Sequence, residues 1–99
     1  MKKWLVLLLA LVCTDAAAVT VVRGRVDITL QYGVVPMAGA NVRLCDSGGG
    51  CMDYVTGSDG MYYFNAVPGN QVILINGVQR LQLVVPDQQY LDVAPIKAN

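Results

Sequence analysis

Val22-Arg23-Gly24-Arg25-Val26-Asp27-Ile28-Thr29-Leu30 changes character at every step. Val22, Gly24, Val26, Ile28 and Leu30 fall on one side, and Arg23, Arg25, Asp27 and Thr29 on the other. Successive side chains of a strand point to opposite faces, so a period of two predicts a half-buried strand with its apolar side toward a core. Downstream, Tyr32 to Gly39 reads as a connecting loop, punctuated by Gly33, Pro36 and Gly39. Ala40, Val42 and Leu44 then alternate inward against Asn41, Arg43 and Cys45. Ser47 to Gly50 is a flexible turn, and Cys51 to Thr56 returns as a third strand.

Gly57-Ser58-Asp59-Gly60 is a turn in which Asp59 can bond its own backbone and Gly60 can take positive φ. Tyr62 and Phe64 point inward on the next strand, and Val67 to Asn70 turns again. Val72-Ile73-Leu74-Ile75 is apolar on both faces, which marks a central or covered strand. Asn76-Gly77 predicts a type I′ hairpin. Leu81, Leu83 and Val85 continue inward with Arg80 and Gln82 outward. After Pro86-Asp87, Leu91 and Val93 form a last short strand ended by Pro95. Seven short strands without a helical period predict an all-β sandwich or small barrel. Phe64, Tyr62, Val42, Leu44 and Leu74 are the expected core.

The start of the chain has a different pattern. Lys2 and Lys3 precede the apolar run Trp4 to Val12, and Ala16-Ala17-Ala18 follows. A positive end, a short apolar segment and a small-residue exit predict a cleavable secretory signal over residues 1–18. Cleavage after Ala18 places small residues at both positions the peptidase reads, whereas cleavage after Ala17 would place Asp15 there. The run is too short for a spanning helix, which needs about 20 apolar residues. A lipidated Cys13 is the alternative, but Val12 stands where lipoprotein signals carry a small residue. Residues 19–99 are expected to form the single domain, with a periplasmic or secreted location.

In that domain Arg23, Arg25, Arg43, Arg80 and Lys97 face six aspartates, a net charge of −1. No basic cluster suits a nucleic acid backbone. No amphipathic or polybasic segment suggests a membrane surface. Cys45 and Cys51 are an even count in an exported chain, which reads as a disulfide across a hairpin mouth. A metal pair would need further Cys or His ligands, and the chain has no His.

Three blocks of sequence carry a family resemblance. Val22-x-Gly24-x-Val26 is followed by Pro36-Met37-Ala38-Gly39-Ala40-Asn41-Val42-Arg43-Leu44. Thr56-x-Ser58-Asp59-Gly60-x-Tyr62-x-Phe64 comes next, and Val67-Pro68 precedes an apolar strand. Together they resemble the carboxypeptidase regulatory-like domains, which are transthyretin-like (prealbumin-type) β-sandwiches. Gly57 replaces one acid of the family turn. Asn70 and Val72 stand where the family has Gly and an aromatic, with Asn70 at positive φ. The resemblance covers most of residues 20–85 and implies a seven-stranded antiparallel Greek-key β-sandwich. Its motifs are structural and specify no activity.

The residue inventory argues against an enzyme. Residues 19–99 hold no His and no Glu, one Lys and two Ser, so a nucleophile with a His base is impossible. Asp53 and Asp59 flank one strand, yet turn hydrogen bonding explains Asp59. The transthyretin-related hydroxyisourate hydrolases depend on histidines that are missing here. Isopeptide-forming adhesin domains need an early-strand Lys and an acidic helper, which are also missing. No cofactor is expected. Asp46, Asp53 and Asp59 could contribute to a calcium shell, but no D-x-D-x-D-G loop exists. Tyr32, Tyr54, Tyr63 and Tyr90 could form a carbohydrate platform if their rings were coplanar.

If Val72 and Leu74 face the core, Ile73 and Ile75 face outward and mark an interaction stripe. Ile73, Ile75, Tyr54 and Tyr63 are therefore the candidate interaction surface. The expected function is an exported, non-catalytic interaction module for another exported protein or envelope component. A homodimer, a structural subunit of an envelope assembly, and a small-ligand or glycan-binding module are the alternatives.

Overall fold

The computed structural model describes residues 19–99. The expected signal segment, with its cleavage site and Cys13, lies outside the described residues. Among the described residues the regular elements are nine strands in two sheets. They are β1 (Thr20–Leu30), β2 (Gly33–Pro36), β3 (Asn41–Asp46), β4 (Cys51–Val55), β5 (Met61–Ala66), β6 (Gly69–Ile75), β7 (Val78–Val85), β8 (Tyr90–Asp92) and β9 (Ile96–Lys97). One sheet runs β4-β3-β6-β7, and the other is assembled on β1.

β1 is long enough to hold several partners. Thr20 to Arg25 pair antiparallel with β5, and Asp27 to Leu30 pair antiparallel with β2. The change of partner falls at Val26. Its N–H donates to Gly60 O at 2.8 Å, and its carbonyl accepts from Met37 N at 2.8 Å. β8 and β9 run parallel to the opposite edge of β1, beside Val21 to Arg23 and Val26 to Asp27. Pro95 has no N–H to give a ladder, and it falls in the break between β8 and β9.

The inward residues of both sheets close one core. Val22, Val26, Val42, Leu44, Tyr62, Ile73, Ile75 and Val85 are buried to within 1% of full, and Phe64 to 5%. Two turns have the expected geometry. Asn76 and Gly77 have φ of 50° and 86°, which a two-residue type I′ connection requires between Ile75 and Val78. Asp59 Oδ1 accepts from Met61 N at 3.0 Å, and Gly60 has φ of 75°.

Several expectations are corrected. Among the described residues the strands number nine, and two of them are parallel to β1. Part of the Tyr32–Gly39 segment is a strand, because Gly33 to Pro36 complete a tight return along β1. Inward alternation in β1 holds through Val26 and then fails. Asp27 is 6% exposed, and Leu30 lies at the surface. Arg25 chelates the Asp27 carboxylate at 2.8 and 3.2 Å, which satisfies the buried charge. Positive φ falls at Gly69, not Asn70. Leu74 is half-buried on the outer side and not in the core.

Gly24 has a packing reason. A Cβ there would lie 2.8 Å from Tyr62 Cζ, and closer still to its hydroxyl. The Tyr62 hydroxyl is buried without a partner, and burial pushes its pKa up to about 12. An orphaned buried hydroxyl costs about 1–3 kcal/mol. Tyr62→Phe is therefore expected to hold or raise the melting temperature, while Gly24→Ala destabilises by about 1–3 kcal/mol. Thermal unfolding of both variants checks this, and a large loss in Tyr62→Phe would contradict it.

Cys45 and Cys51 face each other across β3 and β4, with sulfurs at bonding distance, 2.11 Å. The turn between them has its own ties, because Asp46 Oδ1 accepts from Gly48 N and Gly50 N at 2.9 Å each. Closing so short a loop stabilises by about 2 kcal/mol in the chain-entropy model. Reduction is thus expected to lower the melting temperature by several degrees and leave the sandwich folded at room temperature. Melting curves with and without reductant, beside circular dichroism, report both effects.

Candidate functional site

The strongest surface feature lies on the outer face of the β1 sheet. Cross-strand register places Arg23 beside Tyr63 of β5 and Asp92 of β8. Residues in direct register point to the same face, and Tyr90 follows by alternation with Asp92. The Arg23 guanidinium lies 4.5 Å from the Tyr90 ring centroid and pairs with the Asp92 carboxylate. That hydrogen bond draws the Asp92 pKa below its ordinary 3.8 and raises the Arg23 pKa. Tyr63 and Tyr90 are each 45% exposed. Arg23 thus stands between two exposed phenol rings, one of which it covers as a cation over a π face.

Tyr54 extends this row toward the core. It belongs to the other sheet and points inward, opposite Val42. Its ring meets Tyr63 at 6.0 Å and 71°, and Phe64 at 6.1 Å and 69°. Tyr63 points outward from β5, so the two tyrosines can meet only where Tyr63 bends around the open side of the sandwich. The structure brings Tyr54 and Tyr63 together edge to face. A sugar platform needs coplanar rings, and this pair does not supply them.

Ile73 and Ile75 are removed from the candidate surface. Ile73 is opposite Leu44, and Ile75 opposite Val42, and both partners face the core. Both isoleucines are at most 1% exposed. The outer residues of β6 are Val72 and Leu74, half-buried among Arg43, Cys45 and Gln82. An open depression on that face is bordered by Cys45, Asp46, Asn70, Val72, Gln82 and Val84.

The three aspartates weighed for calcium have separate duties. Asp46 caps its turn, Asp53 pairs with Arg43 at 2.7 and 3.2 Å, and Asp59 closes its own turn. Among the described residues no group of three or more His, Cys, Asp or Glu stands close enough to hold an ion. Among the same residues no helix is long and apolar enough to cross a membrane.

Sequence reasoning missed Arg23 and Asp92 as partners of the tyrosines. Outward alternation of Arg23 was the available signal, and the parallel docking of β8 was not.

The Arg23–Asp92 pair gives a pH test. A carboxyl with a lowered folded pKa stabilises above its unfolded value, and the contribution is lost as pH falls through the folded value. Arg23→Ala is expected to return the Asp92 carboxyl to the ordinary range and leave Asp53 unmoved. A carboxyl-detected NMR titration reads each group, and an unmoved Asp92 would refute the pairing.

Compared with known proteins, the chain matches no protein-family model and no curated protein.

Proposed function

We propose that this chain is an exported, non-catalytic β-sandwich module that binds another secreted or envelope protein through the outer face of the β1 sheet. Tyr63, Arg23 and Tyr90 form the centre of that face. The observation that carries this reading is their joint exposure and fixed packing. Tyr and Arg are enriched among residues that dominate binding energy. Here each is already oriented, Tyr63 by Tyr54 and Arg23 by Tyr90 and Asp92, so little side-chain freedom is lost on binding.

Export is supported by the leader pattern of residues 1–18 and by a cysteine pair at bonding distance. A non-catalytic role is supported by the residue inventory of residues 19–99. We further propose kinship with the carboxypeptidase regulatory-like domains and their Greek-key order. The packing reason for Gly24 and the positive φ of Gly60 support it, since both fall in the quoted motifs. The 71° angle of the Tyr54–Tyr63 pair favours a protein partner over a glycan.

Chemical cross-linking in intact producing cells, followed by identification of the adduct, tests this function. The wild type is expected to yield one dominant partner. Tyr63→Ala with Tyr90→Ala should weaken its binding about 30-fold or more, the equivalent of a 2 kcal/mol hot spot. Tyr32→Ala, in the turn between β1 and β2 and 81% exposed, serves as control. An adduct untouched by the double variant would overturn the assignment.

A further inference from the structure

Among the described residues six strands have an open edge, and five of them are short or protected. β8 and β9 are three and two residues long, with Pro95 between them. β2 is four residues long and ends in Pro36. The edge of β5 is crossed by Tyr63 on its way to Tyr54. β7 has a bulge at Arg80, whose guanidinium donates to Ala98 O at 2.7 Å. Prolines, bulges and covering groups are the usual defences of an edge.

β4 has no proline and no bulge, and Tyr63 meets it only at the inward-pointing Tyr54 ring. The β3–β4 ladder bonds Asp46 N to Gly50 O and Thr56 N to Ala40 O. By the alternation of an antiparallel ladder, Cys51, Asp53 and Val55 turn their N–H and C=O groups away from β3. Among the described residues no strand lies beyond them. Cys51-Met52-Asp53-Tyr54-Val55 contains no Lys and no Pro. Its one charge, Asp53, is matched by the two-pronged contact from Arg43. Met52 and Val55 are 39% and 61% exposed.

We propose that this edge pairs antiparallel with β4 of a second copy of the chain, joining two four-stranded sheets into one of eight. The strand is self-complementary. A two-fold axis at Asp53 sets Cys51 opposite Val55 and Met52 opposite Tyr54, apolar against apolar on both faces. The second pair brings a thioether to an aromatic ring. The residues that offer backbone groups, 51, 53 and 55, meet one another in that register, so the hydrogen bonds are in phase. Asp53 meets Asp53, which alone would disfavour pairing. Each carries its own Arg43, so two neutral ion pairs meet instead of two bare charges.

Sedimentation equilibrium of the processed protein over a range of concentrations tests the pairing, with exchange rates of the Asp53 and Val55 amides. The expected result is a reversible dimer in which both amides slow as concentration rises. Val55→Lys restores an edge defence at an exposed position and should abolish the dimer with an unchanged circular dichroism spectrum. Arg43→Ala should weaken it, and added salt should recover part of the loss. A protein still wholly monomeric at about 1 mM, where a millimolar association is substantially populated, would overturn the pairing. So would a dimer that survives Val55→Lys. Neither result bears on Arg23, Tyr90 and Asp92, which lie on the other sheet away from β4.

Discussion

The peptide of Val26 is the joint on which the first sheet turns. Its N–H and C=O both point to one edge, where one bonds Gly60 and the other Met37. Gly60 presses so close that a Cβ would lie 2.7 Å from Val26 O and 3.0 Å from Pro36 Cβ. The residue that ends one connection therefore seats the strand that begins another. Thr56 fastens the same corner from the second sheet. Its hydroxyl donates to Met37 O at 2.6 Å and accepts from Ala40 N at 2.9 Å. A buried hydroxyl with both roles filled is a fixed point. Two loops, both sheets and the start of β3 are tied within a few residues of Gly60.

Alternation made much of this fold legible. β3 and β5 separate inward from outward residues cleanly, so Val42, Leu44, Tyr62 and Phe64 could be placed in the core directly. Asp59-Gly60 and Asn76-Gly77 have side chains and backbone freedom that few other conformations use. The failures have physical causes. Val72 to Ile75 is apolar at every position, and a pattern without contrast has no phase. Only the pairing of Ile73 with Leu44 decides which side is inside. Asp27 falls on the outer side with Arg25 by alternation, yet it is buried there, with its charge compensated by that neighbour two residues away. β2 was hidden because Gly33 and Pro36 signal turns more strongly than Val34 and Val35 signal a strand.

The surface was less legible than the core. Arg23, Tyr63, Tyr90 and Asp92 are far apart in sequence and meet because β5 and β8 flank β1. Strand order is a long-range property, and parallel docking of a short segment has no local signature. Tyr54 and Tyr63 could be singled out as aromatics, but their edge-to-face contact depends on where two sheets open. Each outer face carries one ion pair, Arg23 with Asp92 and Arg43 with Asp53. The exposed aromatic area of Tyr63 and Tyr90 lies on the outer face of the β1 sheet.

Gly24 and Tyr62 constrain each other's substitution. Any larger residue at 24 meets the phenol ring, and the ring keeps its place only above a bare backbone. Drift at either position is thus conditional on the other, and the order of steps matters. Loss of the hydroxyl alone does not make room, because the ring carbon still lies 2.8 Å from an entering methyl group, so the ring itself must go first and leave a void. The first step is unfavourable on its own, and so the two positions hold each other in place without any contact to a partner.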